Sequence, residues 1–243
     1  MRRLINRLGF ADSLSPEDVE TLLASVAQRK HVPAGEEIVG LRTPCTTSSI
    51  LLSGFASRQK VLPMGSRQIS GFYVTADFCD LDCYVLKHRE HTVVALTDCE
   101  VGIVSHDTID RMLRGSPDLS TLFWAATAAD GAISREWLVS IGRRSAAARL
   151  AHLFCELFVR LRFVEETKGR TYFLPATQSD LSDAMGMSLV HVNRKCAELK
   201  SVGMASLSNR VVTILDWKRL AHFADFDATY LYLGNKQTHT PLT

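Results

Sequence analysis

Hydrophobic and polar positions change their spacing once along the 243-residue chain. From about residue 30 to residue 105, short alternating segments stand between turn residues such as Pro33-Ala34-Gly35 and Ser53-Gly54. From about residue 107 onward, apolar residues recur at intervals of three and four, which is the spacing of amphipathic helices. The pattern predicts a small β barrel or sandwich followed by helices.

Six segments of the first region carry the alternation expected of strands: 37–39, 48–52, 56–61, 68–74, 92–96 and 100–104. A short helix is predicted before them, because Ser15 can cap it, Pro16 suits its first position and Asp18 can complete a capping box. A helical turn is predicted near residues 80–86, and a helix capped by Asp107 follows the last strand.

A long helix is predicted from Pro117 to about Ile141. Five of its residues repeat at alternating intervals of three and four, the a/d spacing of a coiled coil: Leu119, Leu122, Ala126, Ala129 and Ile133. We expect this seam to pair two copies of the chain, and four neighbours off the seam to pack on the barrel: Phe123, Trp124, Trp137 and Leu138. The pattern leaves open a helix that is buried on two sides within one chain.

Two short helices joined by a glycine turn are predicted over 177–200. Thr177 and Asp180 have the spacing of a capping box, and Gly186 stands where a sharp turn needs a positive φ. Residues 207–214 read as a hairpin with apolar flanks. A helical pair followed by a two-stranded wing is typical of a winged helix-turn-helix.

The side chains that this motif leaves exposed suit DNA. The start of the second helix enters the major groove, where arginine bonds to guanine and asparagine to adenine. Arg194 is therefore the first candidate for base readout and Asn193 the second. Hydroxyl and amide groups at helix N-termini suit phosphate. The residues expected to contact DNA are Thr177, Gln178, Ser188, Leu189, Val190, His191, Asn193, Arg194, Lys195, Lys200 and Arg210.

Charge is distributed unevenly, although the whole chain carries only +2. Residues 142–220 hold 13 Lys/Arg and 7 Asp/Glu, whereas the remainder has a net charge of −4. A basic C-terminal third beside an acidic remainder is typical of a nucleic-acid-binding module joined to a domain that does not bind nucleic acid.

These motifs resemble those of the family of the cyclic-AMP receptor protein and the fumarate–nitrate reduction regulator. Residues 32–38 and 52–56 resemble the family's first strands and turns, 77–78 with 93–96 its ligand cassette, and 179–194 its DNA-reading motif. The resemblance covers nearly the whole chain. It implies an α+β fold with an N-terminal jelly-roll β-barrel, a long dimerisation helix and a C-terminal winged helix-turn-helix.

The resemblance also implies an organisation and partners. It divides the chain into a cyclic-nucleotide-binding-like sensor barrel (1–115), a dimerisation helix (116–141), a DNA-binding domain (142–225) and a C-terminal tail (226–243). It implies a homodimer that binds a pseudopalindromic double-stranded DNA operator and recruits or blocks RNA polymerase.

The effector cassette departs from the family's cyclic-nucleotide binders. Those members carry Gly-Glu-Leu, whose glutamate holds the ribose, and Arg-Ser or Arg-Thr, whose arginine pairs with the cyclic phosphate. Here these places read Cys79-Asp80-Leu81 and His91-Thr92, so the bidentate contact to phosphate is lost. We expect a barrel that does not bind cyclic AMP, whose candidate effector pocket is formed by Asp80, Leu81, His91 and Thr92.

The recognition helix departs as well. Receptor-type members carry Arg-Glu where this chain has Leu189-Val190, so its operator is expected to differ, with apolar contact to thymine methyl groups. The family's redox branch holds an iron–sulfur cluster with cysteines near the N-terminus, and this chain has no cysteine before Cys45. We expect no cluster of that kind.

Six cysteines without framework spacing, in a chain without a secretory signal, indicate reduced thiols in the cytoplasm. Cys79 and Cys83, with His88 and His91 close behind, have the ligand types of a metal or thiol-redox site. We favour incidental cysteines, no metal and no cofactor. The alternative is a barrel gated by a cyclic nucleotide, a thiol or a metal that acts on a protein partner.

Catalysis and membrane insertion have no support in the sequence. It contains no Ser-His-Asp arrangement, phosphate loop or HExxH motif, so we expect no enzyme. It has no apolar run near the 18 residues that a membrane span requires.

Overall fold

The computed structural model describes residues 1–42 and 44–233. It contains a β barrel, a long helix and a winged helix-turn-helix in the predicted order, and it mixes helix and sheet as the α+β class requires. None of the described helices combines the length and apolar character that a membrane crossing needs.

The barrel strands are β1 (Gln28–Val32), β2 (Glu37–Val39), β3 (Thr47–Ser53), β4 (Ala56–Val61), β5 (Arg67–Tyr73), β6 (Thr92–Ala95) and β7 (Cys99–Ser105). They form two antiparallel sheets, with strand orders β1-β7-β3 and β2-β6-β4-β5. The six predicted strands are confirmed to within one residue at each end. The prediction missed most of β1, because only Val32 of this strand is buried and the strand has no apolar alternation.

Short helices flank the barrel: α1 (Arg2–Arg7), α2 (Pro16–Ala24), α3 (Cys83–Leu86) and α4 (His106–Gly115). Ser15 caps α2 as predicted, since its Oγ accepts the Asp18 N–H at 3.1 Å. The cap predicted for α4 was wrong. Ser105 Oγ accepts the Thr108 N–H at 3.1 Å, because the helix begins one residue before Asp107.

The long helix α5 (Pro117–Arg143) connects the barrel to the C-terminal domain, which begins with α6 (Ala146–Phe163). The C-terminal domain then contains β8 (Thr167–Lys168), β9 (Thr171–Phe173), α7 (Gln178–Met185), α8 (Leu189–Ser201), β10 (Ala205–Ser208), β11 (Val211–Ile214), α9 (Trp217–Phe223) and a 3₁₀ helix (Ala228–Leu231). Its sheet has the order β10-β11-β9-β8. Neither α9 nor the 3₁₀ helix was predicted, because no clear sequence pattern indicates them.

The first part of the expected C-terminal tail is packed. The rings of Phe226 and Tyr230 lie 5.3 and 5.8 Å from the ring of His152 on α6. Residues 234–243 of that tail lie outside the described residues.

The face of α5 that was expected to pair two chains is buried within one chain. Leu119, Leu122, Ala126, Ala129 and Ile133 are at most 8% exposed, and they pack into cores shared with the barrel, the N-terminal helices and α6. The prediction of this face as the dimer seam was therefore wrong. An apolar face at helical spacing predicts that the face is buried. The spacing does not distinguish burial against a partner chain from burial against the chain's own barrel.

The opposite face of α5 is exposed and also has heptad spacing. Trp124 is 71% exposed and Leu138 is 73% exposed, so the prediction that they pack on the barrel was wrong, whereas Phe123 and Trp137 do pack inward. We name this face the α5 stripe: Thr121, Trp124, Ala128, Gly131, Arg135 and Leu138. Large apolar side chains exposed along one line mark an interaction surface.

A chain of buried charges joins the barrel to α6. Arg160 of α6 donates to Asp77 at 2.6 Å and to Glu156 at 2.9 Å, and Arg7 of α1 also donates to Asp77. Glu156 accepts the indole N–H of Trp137 at 3.0 Å. Burial raises the pKa of Glu156, and the Arg160 guanidinium opposes that rise. The pairs fix how α1, α5 and α6 sit against the barrel.

Candidate DNA interface

The helix-turn-helix is built as the sequence predicts. Thr177 Oγ1 accepts the N–H of Asp180 at 3.1 Å, and the N–H of Thr177 donates to the Asp180 carboxylate at 2.8 Å, which completes the capping box of α7. Gly186 ends α7 with φ 61°, the left-handed conformation that the turn requires. Ser188 Oγ then accepts the His191 N–H at 3.3 Å and caps α8.

Helix α8 buries one side and offers the other to solvent. Val192 and Leu199 lie in the domain core, while Asn193 and Arg194 are exposed. Arg194 makes no hydrogen bond or ion pair to any residue that the structure describes. Leu189 and Val190 are 46% and 77% exposed at the start of the helix. This surface combines a free guanidinium and an amide with two apolar side chains, which suits the edges of base pairs.

The wing places a cation at its tip. Asn209 and Arg210 connect β10 to β11 with φ of 49° and 60°, the pair of positive values that a type I′ turn needs. A groove separates this tip from the N-terminus of α7, and it is lined by Thr177, Gln178, Ser208, Asn209 and Arg210. Hydroxyl, amide and guanidinium groups along such a groove can bind a DNA phosphate.

The predicted contact residues are not equally available. Thr177, Ser188, Lys200 and Arg210 are exposed, like the residues of α8 that were predicted to read bases. Three others are partly buried: Gln178, His191 and Lys195. Lys195 Nζ also lies 2.6 Å from Glu198 Oε2. A phosphate would have to compete with that carboxylate, so Lys195 is the weakest of the predicted cations.

Sequence reasoning missed Ser208 and Asn209, which line the groove beside Arg210. Their place in the hairpin turn was the available signal. It also missed Arg67 of β5, whose Nη2 lies 2.7 Å from Asp180 Oδ1 and whose Nε lies 2.7 Å from Asp183 Oδ2. Arg67 thereby ties the barrel to the first helix of the motif. No local pattern could reveal a contact between residues more than 100 positions apart.

The barrel encloses a cavity of about 50 Å³ against α5. Arg58 of β4 reaches α5 beside it, where its guanidinium donates to Asp130 at 2.8 Å and to Ser134 at 2.7 Å. The Arg58 guanidinium also donates to the phenol of Tyr73 at 3.2 Å. Pockets for small ligands usually measure roughly 300–1,000 Å³. The protein's own side chains therefore fill most of the space between the barrel and α5.

The predicted effector residues are only partly brought together. Asp80, Leu81 and His91 line the cavity, whereas Thr92 is not part of its lining and donates to the Gln59 carbonyl at 3.2 Å. Asp80 is already bound within the protein, because it accepts the Ser49 N–H at 2.6 Å and the Arg89 guanidinium at 2.7 Å. Burial raises the pKa of Asp80 against these bonds.

The cation and the carboxylate beside this cavity are already paired within the protein. Arg58 donates to Asp130 and Asp80 accepts from Arg89, so neither is free in this arrangement to bind the phosphate or the ribose of a cyclic nucleotide. The cavity is also well below the usual size of a ligand pocket.

The cysteines and histidines considered as a metal or redox site have separate partners. Cys79 is buried in the barrel core with Cys99, whereas the Cys83 thiol lies against that of Cys45. His88 is exposed and its Nδ1 lies 2.8 Å from the Leu86 carbonyl oxygen. Within residues 1–42 and 44–233, no group of three or more His, Cys, Asp or Glu side chains is arranged to hold a metal ion.

Comparison with known proteins identifies both domains. Residues 29–116 match the cyclic nucleotide-binding domain and residues 148–223 match the Crp-like helix-turn-helix domain, together about two thirds of the chain. The transcriptional activator protein FnrL of Cereibacter sphaeroides is 24% identical over 213 residues, 85% of each chain. The nitrogen fixation regulation protein FixK of Bradyrhizobium diazoefficiens is 25% identical over 203 residues, 82% of this chain and 83% of that one.

Solved structures share the fold. FixK2 from Bradyrhizobium japonicum matches with a TM-score of 0.71 at 22% identity, over 82% of this chain and 97% of that one. The c-di-GMP-responsive regulator CLP of Xanthomonas campestris matches with a TM-score of 0.63 at 15% identity, over 83% of this chain and 100% of that one. The predicted order of barrel, long helix and winged helix-turn-helix is thereby confirmed.

Proposed function

The chain belongs to the Crp/Fnr family of transcription regulators, and on that premise we propose that it acts as a homodimer that reads a pseudopalindromic operator. The observation that carries the proposal is the exposed start of α8, which presents Asn193 and Arg194 beside Leu189 and Val190. In a two-fold dimer, two such helices enter successive major grooves about one DNA turn apart.

We assign base readout to α8. Arg194 can bond to O6 and N7 of a guanine, and Asn193 to N6 and N7 of an adenine. Leu189 and Val190 are exposed apolar side chains at the helix start, so they suit contact with thymine methyl groups. His191 is half-buried and is assigned a supporting contact.

We assign phosphate contacts to the residues around α8. Thr177 and Ser188 cap helices, so their hydroxyls stand beside free backbone N–H groups that favour an anion. Gln178 and Arg210 line the groove between α7 and the wing, and Lys200 is exposed at the end of α8. Lys195 is kept as a weaker contact because of its pair with Glu198.

The direction of control and the remaining partner are also proposals. FnrL is named a transcriptional activator, and we extend that role to this chain. As an activator, a dimer bound beside a promoter would act by contacting and recruiting RNA polymerase. Since the operator is chromosomal DNA, the proposal places the protein in the cytoplasm. We keep the division into units 1–115, 116–141 and 142–225, although α5 itself runs to Arg143.

Replacement of the main reading residue tests the proposal. Arg194→Ala should weaken binding to the specific operator by about 1–3 kcal/mol, while weak binding to random DNA stays nearly unchanged. The operator is first obtained by selecting genomic fragments on the protein itself, and affinities are then measured by gel shift over a series of salt concentrations.

Arg114→Ala is the matched control, since Arg114 is an exposed helical arginine far from the motif. It should bind like the wild type. An equal loss on random and selected DNA would make Arg194 a phosphate contact. Absence of any binding at low salt would overturn the proposal of DNA recognition.

We place the dimer contact on the α5 stripe. Trp124 and Leu138 supply large exposed apolar area, and Ala128 and Gly131 between them let two helices approach closely. Glycine at position 131, inside the helix, costs roughly 1 kcal/mol of helix stability relative to alanine, which favours a specific reason for glycine there. A parallel pair of α5 helices would bury this stripe and place both copies of α8 on one side.

A charge in the stripe should separate the two chains. Leu138→Asp is expected to give a monomer by analytical ultracentrifugation and to lose tight operator binding, because two carboxylates would face each other in an apolar seam. Val85→Asp is the control, as Val85 is 65% exposed on α3 and away from the stripe. A Leu138→Asp protein that remains a dimer would place the interface elsewhere.

We propose that the barrel works without a cyclic nucleotide. In this chain the link between barrel and long helix is made by Arg58, with Asp130 and Ser134 on α5. Calorimetry with cyclic AMP should detect no binding. Tight binding would show that the Arg58 pair opens for a ligand.

A further inference from the structure

Two cysteines far apart in the sequence meet at the edge of the barrel. Cys45 stands two residues before β3, and Cys83 is the first residue of α3. The Cys45 thiol is within hydrogen-bonding reach of the Cys83 thiol. Both are free cysteines. We propose that Cys45 and Cys83 form a redox-active dithiol that low-molecular-weight disulfides oxidise to an intrachain disulfide bond.

A buried ion pair holds the two cysteine-bearing segments together. The Arg89 guanidinium donates to the carbonyl groups of Pro44 at 3.1 Å and Thr47 at 3.2 Å, on either side of Cys45. The same guanidinium donates to Asp80 at 2.7 Å, and its side chain is only 3% exposed. Arg89 therefore fastens the Cys45 segment to the segment that leads into α3.

Backbone hydrogen bonds reinforce this arrangement. The Ser49 N–H donates to the Asp80 carboxylate at 2.6 Å, and the Cys79 N–H donates to the Ser49 carbonyl at 2.8 Å. The Cys83 N–H donates to the Asp80 carbonyl at 3.2 Å. The start of β3 and the start of α3 are thus tied to one residue, Asp80, so the meeting of the two thiols is set by the fold.

The two thiols differ in access. Cys45 is partly exposed between exposed neighbours, Pro44 and Thr46, whereas Cys83 is 1% exposed. Burial and the hydrogen bond with Cys45 raise the pKa of Cys83 to about 12, while the Arg89 guanidinium lowers it. Cys45 therefore meets an oxidant first, and Cys83 is protected from solvent until Cys45 has reacted.

The chemistry is a pair of thiol–disulfide exchanges. The Cys45 thiolate attacks one sulfur of the small disulfide, forms a mixed disulfide and releases one thiolate. Cys83 then loses its proton to that thiolate or to water and attacks the Cys45 sulfur, which releases the second thiolate. Two protein thiols are oxidised to one disulfide, and the small disulfide is reduced to two thiols. The sulfurs must close to about 2.0 Å, a change that side-chain rotation in the exposed Cys45 segment can supply.

Three of the other cysteines are fully buried, and all four serve as comparisons. Cys79 and Cys99 are buried in the barrel core, and Cys155 is buried in α6, where its pKa is raised by burial. Cys196 is half-buried on α8. Oxidation of this dithiol would let the barrel respond to a redox signal without a ligand in its cavity.

Peptide mapping tests the site in the full-length protein. Reduced protein is equilibrated with oxidised glutathione, quenched with acid, alkylated and digested. Mass spectrometry should find a Cys45–Cys83 linked peptide that is lighter by two hydrogens and that disappears on reduction. Cys196→Ser, the control, should form the same link.

The single variants separate the two roles. Cys83→Ser should accumulate glutathione on Cys45, because no thiol remains to resolve the mixed disulfide. Cys45→Ser should leave Cys83 unmodified, since that thiol is buried. A wild-type protein in which Cys45 carries glutathione while Cys83 stays reduced would overturn the proposal, as would a protein in which neither cysteine reacts. Neither result depends on DNA binding.

Discussion

The barrel and the DNA-binding domain place their charged side chains in opposite ways. In and around the barrel, Arg7, Arg58 and Arg89 turn inward and pair with aspartates. On the DNA-binding domain, Arg194 and Arg210 point to solvent. The first region uses charge to hold elements in place, and the second leaves it available to a partner.

The difference follows from the cost of removing charge from water. A buried ion pair loses hydration energy that the attraction between its two charges only partly restores, so it fixes geometry more than it raises the free energy of unfolding. Removal of one partner is nevertheless strongly destabilising, because the other charge stays buried without a partner. An exposed cation contributes little to stability and attracts phosphate over a long range. Replacement of an arginine is therefore expected to lower stability in the first region and to weaken DNA binding without a change in stability in the second.

The largest effect is expected from Arg160, which lies where the barrel meets α6. Arg160→Met should lower the free energy of unfolding by about 3–5 kcal/mol, because Glu156 would be left as a buried carboxylate without its cation and Asp77 would keep only the Arg7 cation. Urea denaturation measures it. Arg114→Met is the matched control, since Arg114 also pairs with an acid four residues away, Asp110, but at the surface. It should cost less than about 1 kcal/mol. Equal losses in the two variants would contradict the comparison.

A smaller effect concerns pH. Burial, and secondly the Arg144 guanidinium, lower the pKa of His152 to about 3. Glu136 lies 3.4 Å from His152, but it is paired with Arg144 at 2.6 Å. Because the unfolded histidine titrates near pH 6.5, the unfolded state binds more protons between about pH 6.5 and 3, and stability falls as the pH is lowered through that window.

From pH 7 to pH 5, protonation of this histidine in the unfolded state should lower the free energy of unfolding by about 2 kcal/mol. His152→Gln should be less sensitive to pH by that amount in urea denaturation at the two pH values. His88→Gln, at an exposed position, should keep the wild-type dependence. Identical pH profiles for the wild type and His152→Gln would show that His152 does not resist protonation.

The smallest effect is expected at the wing. Arg210→Ala should leave stability unchanged, weaken binding to selected and random DNA alike, and reduce the salt dependence of log K by about 1. Titrations at several salt concentrations measure the slope. Loss confined to the selected operator would make Arg210 a base-reading residue and move part of the specificity to the wing.

Local chemistry explains which parts of the fold could be predicted. The capping box of Thr177 and Asp180, the turn at Gly186 and the hairpin at Asn209 each depend on residues within a few positions of one another. Six barrel strands were visible for the same reason, as alternation along each strand. Strand β1 was mostly missed because a single buried residue leaves no alternation.

The wrong prediction of the dimer seam on α5 shows the limit of reasoning from local sequence patterns. Both faces of this helix have heptad spacing, one ending in the buried Ile133 and the other in the exposed Leu138. Spacing alone favoured the more uniformly apolar face as the dimer seam, and that face packs on the chain's own barrel. The effector pocket shows the same limit, because Asp80 and Arg89 are nine residues apart and no helix or strand period indicates that they pair.

The sequence by itself determined the family, the order of domains and which residues α8 exposes, because these depend on short-range spacing and residue type. Only the tertiary structure decided which face of α5 is free, which cations are already paired, and that Cys45 lies against Cys83. Those facts depend on contacts between residues distant in the chain, and packing sets such contacts after the local elements have formed.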